Sequence, residues 1–275
     1  MFKSTLKKII LWLFLSPVLL LLGGFSYLLL VQEKRIFDFK PLEQNYKFDF
    51  DTNHKEVVLN TEDSVLTGLH FKAQNPKGAI YYLHGKGSNL SHSKWKKIVK
   101  QFVEVHGYDV FMIDYRGFGK SLGKVSYDGL LRDANAGYNY LKTLFPEESI
   151  TVYGLSLGTS FATYVASNNQ PKQLVLEAPF YSLFDVACTT LPKVPPFMIQ
   201  TVLKYPLRTD IWIQNLTCPV YIFHGTNDEI IPYDSSIRLS QIAKTPCDLT
   251  IIPHGDHNHL NLTQEYKQKI EEILR

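Results

Sequence analysis

The stretch TVYGLSLGTSF, from Thr151 to Phe161, carries a serine between closely spaced glycines. Glycines stand two residues before and two residues after Ser156, which makes the pattern G-x-S-x-G. A β-branched and aromatic run precedes the pattern and a helix-forming run follows it, so the stretch predicts a strand, a sharp turn and a helix. Such a turn crowds its flanking positions, which explains the two glycines, and lifts the serine above the strand ends. Ser156 is therefore a candidate nucleophile, and the helix N-terminus beside it favours a developing negative charge.

Strand and helix patterns alternate on both sides of this stretch. EVVLNTEDSVLTGLHFKA predicts an antiparallel hairpin that turns at Thr61, Glu62 and Asp63. Further apolar strand patterns are GAIYYLHG, DVFMIDYRG, SITVYG, QLVLEAPF, PVYIFHG and DLTIIPH. Helices are predicted over residues 91–106, 127–145, 156–167 and 234–243, and from about His259 to the end. The pattern predicts an α/β fold with a mostly parallel sheet of about eight strands and helices on both faces.

The first segment of the chain differs from the rest. Ile9 to Val31 is an uncharged run that would be about 34 Å long as a helix, enough to cross the hydrocarbon core of a bilayer. We therefore expect residues 1–31 to be an N-terminal membrane anchor in a single-pass protein. The alternative is a cleaved signal peptide and a secreted enzyme, but no clear small-x-small cleavage site follows the run. The free amino terminus favours a catalytic domain on the extracytoplasmic side, although positive charges flank both ends of the run.

The remaining boundaries follow from composition. Residues 32–54 are mixed in charge and polarity and are predicted to be a tether, followed by a single catalytic domain over residues 55–275. Within that domain, residues 180–212 interrupt the alternation with a stretch rich in aromatic residues, leucine and proline. Its aromatic content argues against disorder, so we expect a small cap over the site.

The charge of the sequence argues against one class of partner, and its cysteines leave two interpretations open. The three lysines before the apolar run account for the whole net charge of +3, so the rest of the chain is neutral. A neutral domain without a basic stripe argues against nucleic acid as a partner. Cys218 and Cys247 each precede a predicted strand, and a disulfide between them is one reading if those strands are neighbours. The other reading is that the cysteines are small buried hydrophobic residues in a reducing compartment.

A serine hydroxyl needs a base, and the base needs a carboxylate that orients it. Downstream of Ser156, Asp228 follows one strand end, and His254, His257 and His259 follow the next. The carboxyl ends of strands are where α/β sheets build their sites. The chain therefore holds candidates for all three roles at one edge of the sheet.

These motifs together resemble the α/β-hydrolase family, in the branch that has one N-terminal membrane anchor and a short cap. The resemblance covers the sequence from about residue 56 to the end, and the matching stretches occur in the same order as in the family. The matching stretches are YYLHGKGSN, DYRGFGKS, YGLSLGTSFA, LEAPFYSL, VYIFHGTNDEIIP and HGDHN. It implies that Ser156 is the nucleophile, Asp228 the acid and His257 the base. It also implies an oxyanion hole made by the backbone N–H groups of Leu157 and Lys86.

Several alternatives stay open at this point. Glu177, at another strand end, is a second candidate for the acid, and the H-x-x-H-x-H pattern of residues 254–259 is compatible with a metal site. The resemblance implies an acyl-enzyme mechanism on a lipid-like or short to medium carboxylic ester, without cofactor or metal. A thioesterase is the first alternative, and a membrane-tethered binding module without catalysis is the second. The pattern does not predict an oligomeric state.

Overall fold

The structure is a computed structural model that describes residues 2–275. Only the backbone is described for residues 2–11, 14, 17, 18 and 20–22. In this part of the chain, the strands are β1 His54–Asn60, β2 Ser64–Phe71, β3 Ala79–Leu83, β4 Asp109–Ile113, β5 Leu122–Gly123, β6 Ile150–Leu155, β7 Gln173–Glu177, β8 Val220–Gly225 and β9 Cys247–Ile252. The helices are α1 Phe2–Phe37, α2 Lys94–Lys100, α3 Tyr127–Lys142, α4 Leu157–Ser167, α5 Leu183–Thr190, α6 Pro196–Val202, α7 Thr209–Trp212, α8 Asp234–Ile242 and α9 Gln264–Ile273.

All of these strands belong to one sheet, in the order β1-β2-β4-β3-β6-β7-β8-β9, and β5 pairs with β2 at the side. The strands from β4 to β9 along this order run parallel to one another, whereas β1 and β2 are antiparallel at one edge. The predicted mostly parallel sheet is thus confirmed. Strand β6, which leads into Ser156, lies in the middle between β3 and β7.

The alternation of side chains along each strand produces two cores. In β3, the side chains of Ala79, Tyr81 and Leu83 belong to one buried cluster, and those of Ile80 and Tyr82 belong to the other. Helices α3, α4 and α8 contribute to the first cluster, whereas α2 and α9 contribute to the second. A strand buried on both faces must be apolar at every position, which is why the central strands read as continuous hydrophobic runs.

The segment between β7 and β8 forms the region that was predicted as a cap. Helices α5, α6 and α7 occupy it. The Ser182 hydroxyl begins α5 by accepting the Asp185 N–H at 3.1 Å, and Pro196 occupies the first turn of α6, where a missing N–H costs nothing. Tyr205 and Leu207 are buried beneath these helices.

Helix α1 continues past residue 31, the expected end of the anchor, and ends at Phe37. Among the residues that the structure describes, no helix combines the length and the apolar character needed to cross a membrane. Most of the predicted anchor lies outside the residues whose side chains are described. The anchor therefore remains a prediction.

Three local predictions differ from the structure. The last helix begins at Gln264 rather than near His259, because the Thr263 hydroxyl caps it by accepting the Tyr266 N–H at 3.3 Å. The helix expected over 91–106 is α2 followed by a π-helical turn, Gln101–Val105. The two-residue strand β5 is an addition to the eight expected strands. All three cysteines are free.

Candidate active site

Ser156 occupies a strained turn between β6 and α4. Its φ of 52° and ψ of −118° lie in a region that residues with a side chain rarely adopt. The two glycines make the turn possible. A Cβ at residue 154 would lie 2.6 Å from the Thr159 Cα, and one at residue 158 would lie 2.0 Å from the Leu83 carbonyl oxygen. The G-x-S-x-G pattern therefore has the physical reason that the sequence suggested.

The backbone around Ser156 is held from two sides. Its N–H donates to the Glu177 carbonyl at 2.8 Å, and its carbonyl accepts the Thr159 N–H at 2.9 Å. These bonds offset the strain and fix the direction in which the hydroxyl points. The residue is only 8% exposed, and its hydroxyl lies within hydrogen-bonding distance of a histidine.

The structure brings Ser156, His257 and Asp228 into one hydrogen-bonded chain. The His257 Nε2 lies 2.9 Å from the Ser156 Oγ, and its Nδ1 lies 2.7 Å from Oδ2 of Asp228. With Nδ1 protonated, the imidazole donates to the carboxylate and accepts from the serine hydroxyl. Both contacts are within the range of a working base and its orienting acid. His257 is 8% exposed, so this series of hydrogen bonds is shielded from solvent on most sides.

Four groups hold the Asp228 carboxylate. Oδ1 accepts the N–H groups of Ile230 at 2.9 Å and Ile231 at 2.8 Å, and Oδ2 faces His257 and His224. Burial alone would raise the pKa of this carboxyl group, but the bonds from His224, His257 and the Ile231 N–H outweigh it and hold the pKa well below its ordinary value. Asp228 is therefore ionised at neutral pH, as an orienting acid must be.

His224 is the residue at this site whose part the sequence did not reveal. Its Nε2 lies 3.1 Å from Asp228 Oδ2 and 2.9 Å from the Ile231 carbonyl, and its Nδ1 lies 2.6 Å from the Ser236 hydroxyl. Because Nε2 faces two acceptors, it carries the proton, and Nδ1 accepts from Ser236. The only signal in the sequence is the four-residue spacing to Asp228, which is too common to identify a contact.

Glu177, the alternative acid, has another partner. Its side chain is buried and accepts the Tyr153 hydroxyl at 2.6 Å, and that hydroxyl lies 2.6 Å from the hydroxyl of Tyr266. Burial raises the pKa of Glu177, although the bond from Tyr153 opposes this. The carboxyl group thus belongs to a buried network behind the turn, and the backbone carbonyl of the same residue holds Ser156.

The two backbone groups expected to form the oxyanion hole lie beside Ser156. Leu157 is the first residue of α4, so its N–H has no acceptor within the helix. Lys86 follows β3 directly after Gly85, where an added Cβ would lie 3.2 Å from the Cβ of Ser156. Leu157 and Lys86 both line the cavity that contains the serine. Their placement agrees with the predicted role, which remains a prediction.

A cavity of about 400 Å³ opens in front of Ser156. Its walls come from α1, from α5 and α6 of the cap, and from the loop after Asp228. Most of the lining side chains are aliphatic, and they include Leu183, Val186, Ile199 and Val202. Such a space fits an apolar group next to a small number of polar atoms.

The three clustered histidines have different surroundings. His257 is buried against Ser156, whereas His254 is exposed, and the exposed His259 pairs with Asp256 at 2.9 Å. Among the described residues, no group of three His, Cys, Asp or Glu side chains is arranged to hold a metal ion.

Comparisons with known proteins agree with this architecture. A family model described as "Serine aminopeptidase, S33" matches residues 74–208. The human protein ABHD12B is 31% identical over 203 residues, which cover 66% of this chain and 56% of that protein. The zebrafish (Danio rerio) lysophosphatidylserine lipase ABHD12 is 28% identical over 188 residues, which cover 63% of this chain and 48% of the relative. The chain thus spans about half the length of these two relatives.

Solved structures show the same fold. An esterase of Pyrococcus furiosus superposes with a TM-score of 0.66 at 22% sequence identity, over 86% of this chain and 95% of the esterase. Together, the sheet order, the turn at Ser156 and these matches establish that the chain belongs to the α/β-hydrolase superfamily. The family model that matches is one of hydrolases.

Proposed function

We propose that the protein is a serine hydrolase that cleaves carboxylic esters through an acyl-enzyme. The observation that carries this proposal is the unbroken chain from the Ser156 hydroxyl through His257 to the ionised Asp228. A serine without an aligned base is too weak a nucleophile at neutral pH, and the His257 imidazole lies 2.9 Å from this serine hydroxyl, which supports the proposal. A binding module has no need of the three groups in this geometry.

The reaction follows from the positions of the groups. His257 Nε2 takes the Ser156 proton as the oxygen attacks the ester carbonyl, and Asp228 stabilises the imidazolium that forms. The oxyanion would be held by the N–H groups of Leu157 and Lys86. His257 then gives its proton to the leaving alcohol, and the acyl group stays on the serine. Water, activated by the same imidazole, releases the acid and restores the enzyme.

The substrate class is inferred from the cavity. Its aliphatic walls favour an ester with a lipid-like or medium acyl chain. The zebrafish relative is named a lysophosphatidylserine lipase, which agrees with a lipid ester but does not fix the head group. A thioesterase is the second candidate, because the same triad cleaves thioesters. Hydrolysis of matched ester and thioester pairs of equal chain length distinguishes the two.

The triad is tested by labelling the full chain with a fluorophosphonate probe, which reacts with an activated serine. Wild type should be labelled, and Ser156→Ala and His257→Ala should not. His259→Ala is the matched control, since that histidine is exposed and lies two residues away. Absence of labelling in folded wild type, together with no turnover of any ester in the panel, would favour the binding module instead.

We also propose that the apolar segment before residue 32 anchors the protein in a membrane with the hydrolase domain on the extracytoplasmic side. The uncharged run from Ile9 to Val31 supports this proposal. The mass of the mature amino terminus tests it, because a chain that starts near residue 25 would be a secreted protein without an anchor. Protease protection of the domain in intact cells or spheroplasts tests the orientation.

A further inference from the structure

The C-terminal part of α1 packs against the hydrolase domain with one face. Phe25, Leu28, Gln32 and Ile36 are partly buried, and their spacing of three and four residues places them on one side of the helix. Leu30, on another side, is 82% exposed. The helix therefore presents a defined inner face from residue 25 onwards.

Polar side chains of α1 fasten this face to the cap. The Gln32 Nε2 donates to the Val202 carbonyl at 3.0 Å, and the Lys204 N–H donates to Gln32 Oε1 at 2.9 Å. The Tyr205 hydroxyl donates to Glu33 at 2.8 Å. One amide thus accepts an N–H just beyond α6 and donates to the last carbonyl of that helix, a group that a helix C-terminus leaves unpaired. The cap and α1 are held in register by these bonds.

The last turn of α1 also touches the loop that holds Lys86. The Lys86 ammonium donates to the Arg35 carbonyl at 3.1 Å, and the Gly87 N–H donates to the Phe37 carbonyl at 2.9 Å. A positive charge at a helix C-terminus is favourable, because the unpaired carbonyls there carry partial negative charge. The C-terminal end of α1, around residue 36, therefore lies beside the loop next to Ser156. Residue 28 lies about 12 Å away from residue 36 along the helix axis.

Helix α1 forms part of the wall of the cavity in front of Ser156. Its contribution consists of Leu28, Val31, Gln32, Arg35 and Ile36. The cap helices supply the facing side chains, so neither α1 nor the cap encloses the space alone. The apolar members of this wall extend away from the serine along the helix.

We propose that the last turns of α1 are a wall of the acyl pocket and set the length of the acyl chain that Ser156 accepts. This inference rests on the proposed ester hydrolysis. Ile36 borders the part of the pocket near the reacting carbonyl, and Leu28 borders its far end. Leu28 and Val31 also belong to the apolar run from Ile9 to Val31, so the last turns of the proposed anchor and the pocket wall overlap.

The test changes the far end of the wall in the full-length protein. Leu28→Trp should block the far end, and Leu30→Trp is the matched control because that side chain points away from the domain. The assay measures kcat/KM for p-nitrophenyl esters from acetate to palmitate. Leu28→Trp should lower the ratio of palmitate to acetate turnover by about tenfold or more, whereas Leu30→Trp should leave the whole profile unchanged.

A second variant tests the opposite direction and guards against misfolding. Leu28→Ala enlarges the far end, so its preference should move toward longer chains. Profiles of Leu28→Trp and Leu28→Ala that both superpose on that of wild type would overturn the inference. An equal shift in Leu30→Trp would overturn it as well, since the effect would then not come from the pocket.

A binding measurement separates this inference from the proposed function. Fluorescence of cis-parinaric acid reports occupancy of an apolar pocket without catalysis. Leu28→Trp should weaken its binding about tenfold and Leu30→Trp should not, whether or not wild type turns over any ester. If wild type hydrolyses no ester but the variants show this binding pattern, the proposed ester hydrolysis is refuted and the role of α1 in the pocket stands. If wild type is active but both variants bind the probe equally well, the role of α1 is refuted and the proposed ester hydrolysis stands.

Discussion

Replacing Asp228 by asparagine should abolish most of the catalytic rate while keeping the shape of the site. The Oδ1 position, which accepts two backbone N–H groups, can be kept by the amide oxygen. The amide NH₂ then takes the place of Oδ2. In the wild type, Oδ2 accepts from two imidazole nitrogens, Nδ1 of His257 and Nε2 of His224, so in the variant the NH₂ group faces two donors. Two donors cannot share a hydrogen bond, so both rings must change their tautomer or move.

The size of the loss follows from that tautomer change. If His257 carries its proton on Nε2, it donates to the Ser156 hydroxyl and has no lone pair there to take the serine proton. The corresponding change in a serine protease triad lowers kcat by about 10⁴, which corresponds to ~5 kcal/mol of transition-state stabilisation. We expect a loss of similar size here, since both contacts of His257 lie at hydrogen-bonding distance, 2.7 Å to Asp228 and 2.9 Å to Ser156.

The assay is turnover of p-nitrophenyl acetate together with the rate of fluorophosphonate labelling. Asp256→Asn is the matched control, because that carboxylate is exposed near the same histidine and pairs with His259. It should keep wild-type rates. An Asp228→Asn variant that stays within tenfold of wild type would refute the assignment of the acid.

Two further outcomes are expected. Gly158→Ala would place a Cβ 2.0 Å from the Leu83 carbonyl oxygen, so it should cost about 2 kcal/mol and lower the melting temperature by roughly 4–8 °C in a calorimetric scan. Gly24→Ala, where the added Cβ meets no described atom within 4 Å, is the control, and equal melting in both would contradict the clash. Glu177→Gln should keep probe labelling and flatten the pH dependence of urea unfolding. Because burial raises the pKa of Glu177, its contribution to stability is full below the unfolded value of about 4.3 and is lost as the pH rises through the folded value. Loss of labelling in the Glu177→Gln variant would indicate that Glu177 is the acid of the triad.

The class of fold and the candidate nucleophile, Ser156, could both be predicted from local patterns in the sequence. Strand patterns and turns are local, since burial on both faces of a strand demands an apolar run and a sharp turn demands glycine at positions 154 and 158. The sequence also predicts the antiparallel hairpin around residues 61–63, and β1 and β2 confirm it. The start of the last helix was missed, because a capping threonine at residue 263 is only one of several polar residues that could begin it.

Which residues contact one another at the candidate site became visible only in the tertiary structure. Asp228 and Glu177 both follow strand ends and look alike in the sequence, but their partners are His257 in one case and Tyr153 in the other. The contact of His224 with the acid depends on how the loop after β8 folds back. The part of α1 in the cavity wall depends on hydrogen bonds such as that from Gln32 to Val202, which joins residues far apart in the chain. Such contacts arise from the packing of whole elements, and local sequence patterns carry no record of them.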